Sequence, residues 1–151
     1  MWATTASAYN GGMETTHASP PPSAPHFAVA GVLLEALAAH DFQGLAAALD
    51  VDASLSALLP RGFHQWQGAP DICDRFETWF GDVDQFEVVD ASVGLVGSLL
   101  QLRWRLRLQG ARLGDEPKVV EQHVYATTGP TGRIQHLSLL CSGFWPEHPD
   151  T

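Results

Sequence analysis

The sequence predicts an α+β domain in which three helices from the first half cover one face of a curved, mostly antiparallel sheet. Three observations predict it. Residues 99–108 (LLQLRWRLRL) alternate almost without fault. Leu100, Leu102, Trp104, Leu106 and Leu108 share one face, and Gln101, Arg103, Arg105 and Arg107 share the other. Period-two alternation of this length describes a half-buried antiparallel strand, one side on a core and one toward water or a partner. Two more strand-like runs follow at hairpin distance, within 118–127 and 133–142. The stretches before residue 82 carry apolar residues at helical spacing instead.

The elements follow in order. Residues 1–25 are mostly Thr, Ser, Ala, Gly and Pro, with Pro20, Pro21 and Pro22 in a row. Such a segment buries too little apolar area to offset its ordering entropy, so it reads as a disordered tail. Trp2 and Tyr9 are the two residues in it able to dock on the domain. The domain proper is expected over 26–147, with a short tail at 148–151. Val29, Val32, Leu33, Ala36 and Leu37 mark the first helix. Asp41 is placed to cap a second short helix over 42–49. A strand at 53–59 ends in the turn signal Pro60-Arg61-Gly62 and returns over 63–67. Gly68-Ala69-Pro70 opens a third helix with Pro70 in its first turn. Ile72, Phe76, Trp79 and Phe80 form its apolar stripe, and Gly81 stops it. Strands at 85–93, 99–108, 118–127 and 133–142 complete the sheet, joined through 110–117 and 129–132.

Composition narrows the function classes. The chain has 151 residues, 17 acidic against 8 basic side chains, and a net charge of −9. Phosphate backbones demand a basic patch, so nucleic acid is not an expected partner. No segment approaches the roughly 20 apolar residues of a membrane helix, and the N-terminus lacks the basic and apolar regions of a signal peptide. Cys73 and Cys141 show no CxxC or Cys/His zinc spacing, and His17, His40 and His148 have no metal spacing with carboxylates. Two buried free thiols in a reducing cytoplasm are expected, with no metal and no cofactor.

At this point the chain resembles the cone-shaped α+β superfamily of nuclear transport factor 2, ketosteroid isomerase, limonene epoxide hydrolase and the SnoaL-like polyketide cyclases. The resemblance rests on AHDFQGLAAALDVDASLSAL, similar to the helix, short helix, strand opening. It rests also on WQGAPDICDRFETWF, similar to the Gly-then-helix segment, and on TGRIQHLSLL, similar to a DGRI turn and final strand. LLCSGFWP resembles the ending of small SnoaL-like proteins common in high-GC actinobacteria, a source that the Ala- and Leu-rich composition suits. The resemblance implies an NTF2-like cone with an apolar pocket between helices and sheet, a small hydrophobic ligand, and a homodimer through the outer sheet face. Carried onto this sequence, the pocket wall falls on Leu102 and Trp104, Gln122 and Val124, and Leu137, Leu139 and Cys141. Trp66, Phe76 and Phe80 join it, with His64 at the mouth. Cys141 reads as a core thiol rather than a nucleophile.

The family's catalytic residues do not carry over. The isomerase's general base falls at about Ala57, its oxyanion-hole tyrosine at about Leu33 and its protonated acid at Val124; the epoxide hydrolase's charged groups fall at apolar or absent positions. Both chemistries need ionisable groups in a dry pocket. A reaction is therefore not assigned. Two readings remain: a pocket protein for a hydrophobic metabolite with cyclase, isomerase or hydrolase chemistry, or a non-catalytic dimeric ligand-binding or interaction module. Glu121-x-His123-x-Tyr125 bears on the choice. If the sheet faces are swapped, Glu121 and His123 point inward as an oriented general base. With the expected faces they lie outside, Arg107 opposite Glu121 and Arg105 opposite His123.

Overall fold

The computed structural model describes residues 24–114 and 116–147. Residues 1–23 and 148–151, with Trp2, Tyr9, His17 and His148, lie outside the described residues. Helix α1 (Ala24–Ala38) leads into a 3-10 helix (Gln43–Ala48), strands β1 (Leu49–Leu59) and β2 (Gly62–Gln67), and helix α2 (Ala69–Phe80). The sheet continues with β3 (Gln85–Val96), β4 (Leu99–Gln109), β5 (Lys118–Thr128), β6 (Ile134–Cys141) and the short β7 (Trp145–Pro146). The spatial order is β2-β1-β6-β5-β4-β3, with β7 paired to β5. All pairings are antiparallel except β1 with β6. Three helices on this mixed, mostly antiparallel sheet form the expected cone.

The ends of the helices follow from local chemistry. His40 takes a left-handed conformation (φ 60°) that closes α1, and Asp41 N–H reaches back to the Ala36 carbonyl at 2.9 Å. This is a Schellman-type ending with histidine in the place usually held by glycine. The Asp41 carboxylate then accepts from Gly44 N–H at 3.0 Å. Gly68, at φ 97°, turns β2 into α2, where Pro70 sits in the first turn.

Strand β1 begins at Leu49, four residues earlier than the 53 the sequence suggests, and the helix before it is a single 3-10 segment. The reason is tertiary. Leu49 pairs with Ile134 on β6, and Asp50, almost buried, accepts from Thr131 Oγ1 at 2.5 Å. A side chain in the β5–β6 turn thus holds the start of β1 extended.

The core is one contiguous cluster on the helix-covered face. Leu100, Leu102, Trp104, Leu106 and Leu108 of β4 meet Val124 and Ala126 of β5, Leu137 and Leu139 of β6, and Ile72, Phe76 and Phe80 of α2. Phe80 is its aromatic hub, with ring centroids 6.1–6.3 Å from Phe42, Phe76, Phe86 and Phe144.

Between β6 and β7 the strand breaks. Gln122 of β5 lies opposite Cys141, whereas Val119 lies opposite Trp145. Three steps along β5 therefore match four along the partner, the signature of a one-residue bulge. Gly143, at φ 81°, carries it, and a Cβ there would stand 2.8 Å from Pro60 Cγ.

Candidate functional site

The bulge makes the site. It lets the chain from Cys141 to Trp145 wrap one end of the cone and line a cavity of about 560 Å³. The other walls are Leu59, Pro60, Arg61 and His64 from the β1–β2 hairpin, Trp79 and Phe80 from the end of α2, and Gln122 from β5. Phe144 approaches Phe80 edge-on. The lining is largely apolar with a few polar groups, the form expected of a small-molecule site, and its volume falls in the usual range.

Of the residues expected to form a pocket, Phe80, Gln122, Cys141 and His64 line this cavity. Leu102, Trp104, Val124, Leu137, Leu139 and Phe76 lie on the same concave face, but they are packed core. Size explains this. Trp104 and Phe76, 6.3 Å apart, fill the depth of the cone, so the open space is confined to one end. Trp66 is half-buried beside Trp79 and under the Arg75 guanidinium, 4.7 Å from its ring, and borders a separate outer depression with Ser56 and His136. Leu59, Pro60, Arg61, Trp79, Ser142, Gly143, Phe144 and Trp145 were not expected in the wall. The available signal was Gly143 directly after the expected strand and before the apolar Phe144-Trp145 pair, a glycine position that marks a bulge.

Gln122 is the polar centre. It sits in a cross-strand row, Trp104–Gln122–Cys141, on the concave face. Its side chain is 1% exposed, and its Oε1 accepts from Trp104 Nε1 at 2.9 Å. An indole N–H only donates, so the amide orientation is determined, and Nε2 presents two N–H donors. Nε2 is buried and has no partner. Cys141 is half-buried, and its Sγ accepts from Gly143 N–H at 3.4 Å. Cys73 lies buried in α2, where loss of hydration pushes its thiol above the ordinary value. Both cysteines are free. No cluster of metal-ligating side chains occurs among the described residues. No described helix is long and apolar enough to cross a membrane.

Glu121 and His123 lie on the opposite face, 2.6 Å apart. The register differs by one pair from the sequence expectation: Arg105 faces Glu121, Arg103 faces His123 and Arg107 faces Val119. The slip comes from the 110–117 connection, where a 3-10 turn (Ala111–Leu113) occupies part of the loop. The charges form a ladder within the chain. Arg103 pairs with Asp90 at 2.6 Å, Arg105 with Glu121 at 2.8 Å and Arg107 with Glu147 at 2.8 Å. A dimer held by these charges across its interface would have to break these pairs first.

Desolvation opposes ionisation of Glu121, but hydrogen bonds from His123 and Arg105 outweigh it and hold the carboxyl below its usual range. A folded-state value depressed in this way contributes stability above the unfolded carboxylate range, lost as pH falls through the folded value. The advantage of the wild type over Glu121→Gln is therefore expected to be largest near neutrality, at most about 1 kcal/mol for so shallow a pair. It should close as the pH drops below about 4. Thermal melts across that window check it; a gap that persists in acid removes this explanation.

No family model matches the chain, and no curated protein matches its sequence. Solved structures do match. The chain is similar to a candidate SnoaL-like polyketide cyclase from Shewanella denitrificans OS-217, with TM-score 0.59 and 16% identity over 77% of this chain and 89% of that one. It is similar to a candidate ketosteroid isomerase from Kribbella flavida DSM 17836, with TM-score 0.57 and 19% identity over 83% of each chain. It is also similar to TerC, co-crystallised with polyporic acid, with TM-score 0.59 and 10% identity over 77% of this chain and 90% of that one. At these identities the likeness is one of fold.

Proposed function

We propose that this chain, which has the fold of the NTF2-like, SnoaL-like proteins, binds a small hydrophobic molecule in the cavity behind the 142–144 bulge. Gln122 Nε2 carries the reading. A buried amide N–H without a partner costs about 1–3 kcal/mol. Here it belongs to a cavity-wall residue whose Oε1 the Trp104 indole already holds, and a ligand oxygen that displaces the side chains covering it would satisfy it. That one structural neighbour was crystallised with polyporic acid supports a ring-bearing occupant. Chemistry of the cyclase, isomerase or hydrolase kind has weaker support. The titratable lining groups are Arg61, His64 and the Cys141 thiol, and no carboxylate stands in the wall. Two free thiols favour a reducing, cytoplasmic setting.

The test uses a neutral fluorescent probe, N-phenyl-1-naphthylamine. The wild type is expected to bind it, and Cys141→Trp, which fills the cavity, is expected to weaken binding at least about tenfold while keeping the wild-type circular dichroism. Equal binding by both proteins, or none by the wild type, overturns the reading.

A homodimer through the outer sheet face is the second part of the proposal. Phe63, Leu58 and Leu140 form a cross-strand row on that face and are 61%, 50% and 53% exposed. An apolar row on three adjacent strands beside a satisfied charge ladder fits a self-complementary contact. Light scattering should return about twice the chain mass of 16.3 kDa, and Leu140→Asp should return the single mass. A monomer at tens of micromolar excludes it.

A further inference from the structure

The cavity's charge is one-sided. Arg61 and His64 are the lining residues able to carry positive charge, and no Asp or Glu accompanies them. This is unusual in a chain with net charge −9. The same chain sets an acid beside each arginine of β4, namely Asp90, Glu121 and Glu147 for Arg103, Arg105 and Arg107. Arg75 rests on the Trp66 ring, and Arg112 donates to the Trp79 carbonyl. Arg61 has no ion pair or hydrogen bond among the described residues. The Arg133 guanidinium shares that condition, but it lies in the β5–β6 turn and lines neither this cavity nor the outer depression beside Trp66. Arg61 is thus an unmatched guanidinium in the wall of a largely apolar cavity, held there by the Pro60-Arg61 turn. His64 lies on the adjoining strand, stacked on Trp66 at 5.8 Å.

We propose, resting on the binding reading above, that the ligand is an amphipathic acid: an apolar, ring-bearing body with one carboxylate or equally acidic oxygen. The acid group sits at Arg61 with His64 beside it. The body lies against Trp79, Phe80 and Phe144. The guanidinium offers a planar fork that matches a carboxylate. Because the chain's overall charge repels anions, this local cation is what makes an acid preferable to a neutral molecule of the same shape.

The acid and its methyl ester separate the two readings. 1-Pyrenebutyric acid and methyl 1-pyrenebutyrate share one ring system, and the ester is the more apolar. A merely greasy cavity holds the ester at least as tightly as the acid. The wild type is expected to bind the acid about tenfold more tightly than the ester, the scale of one charge-assisted hydrogen bond. Arg61→Gln, on an exposed turn, should abolish that preference by weakening the acid far more than the ester. Arg133→Gln should keep it. Ester bound as tightly as acid by the wild type, or a preference surviving Arg61→Gln, overturns the acid assignment and leaves the hydrophobic cavity standing. Failure of both compounds and of the neutral naphthylamine probe to bind overturns the two together.

Discussion

Replacing Phe80 with alanine is expected to destabilise the domain by about 3–5 kcal/mol, the range for removing a buried aromatic ring. For a chain of this length that corresponds to a fall in midpoint on the order of 10 °C. The side chain is 1% exposed and touches four other phenylalanine rings and Trp79. It is also the floor of the cavity, so the void left by truncation opens into existing space rather than closing over. Phe80→Ala should therefore lose stability and at the same time admit a bulkier apolar probe than the wild type does. Phe144→Ala, removing a half-buried ring from the other side of the same cavity, should cost less. A loss under about 1 kcal/mol for Phe80→Ala would mean that the ring is not packed as the structure has it.

The second large effect concerns the buried pair behind the cavity wall. Trp104→Phe is expected to cost about 2–4 kcal/mol, combining lost ring volume with an orphaned Gln122 carbonyl. Gln122→Leu orphans the indole N–H instead and should cost about 1–3 kcal/mol. Removing both partners leaves no unpaired polar atom. The double variant should therefore cost less than the sum of the singles by about 1–2 kcal/mol. Chemical denaturation of the four proteins measures this coupling directly, and strict additivity would show that the 2.9 Å bond does not exist in solution. Gln122→Leu carries a second readout. If Nε2 meets a ligand oxygen, the variant should lose affinity for acceptor-bearing ligands while still binding a hydrocarbon of similar shape. That readout separates a ligand contact from a purely structural role.

The cone and the place of Gln122 in its wall were expected from the family resemblance; the sequence alone determined the α+β class and the parity of the strands. These follow from local, periodic physics. Alternation places Trp104, Gln122 and Cys141 on the same side as the core, and Arg103, Arg105, Glu121 and His123 on the other, wherever the neighbouring strands lie. Pro70 opens α2 for a reason internal to a helix, whereas Gly81 ends it in a right-handed conformation (φ −76°) where a Cβ would meet the Glu77 carbonyl. Register, bulge and volume were decided only in three dimensions. Which arginine meets Glu121 depends on how the 110–117 connection folds, and alternation is blind to a shift of two residues. The early start of β1 depends on Asp50 finding Thr131, 81 positions away. The cavity's location depends on how completely large side chains from α2 and β4 fill the cone, a sum over facing volumes that no single segment contains. Trp104 and Phe76 close the depth, and the one-residue bulge around Gly143 opens the end. Arg61 becomes part of the cavity wall only because that bulge brings Ser142, Gly143 and Phe144 across from the β1–β2 turn.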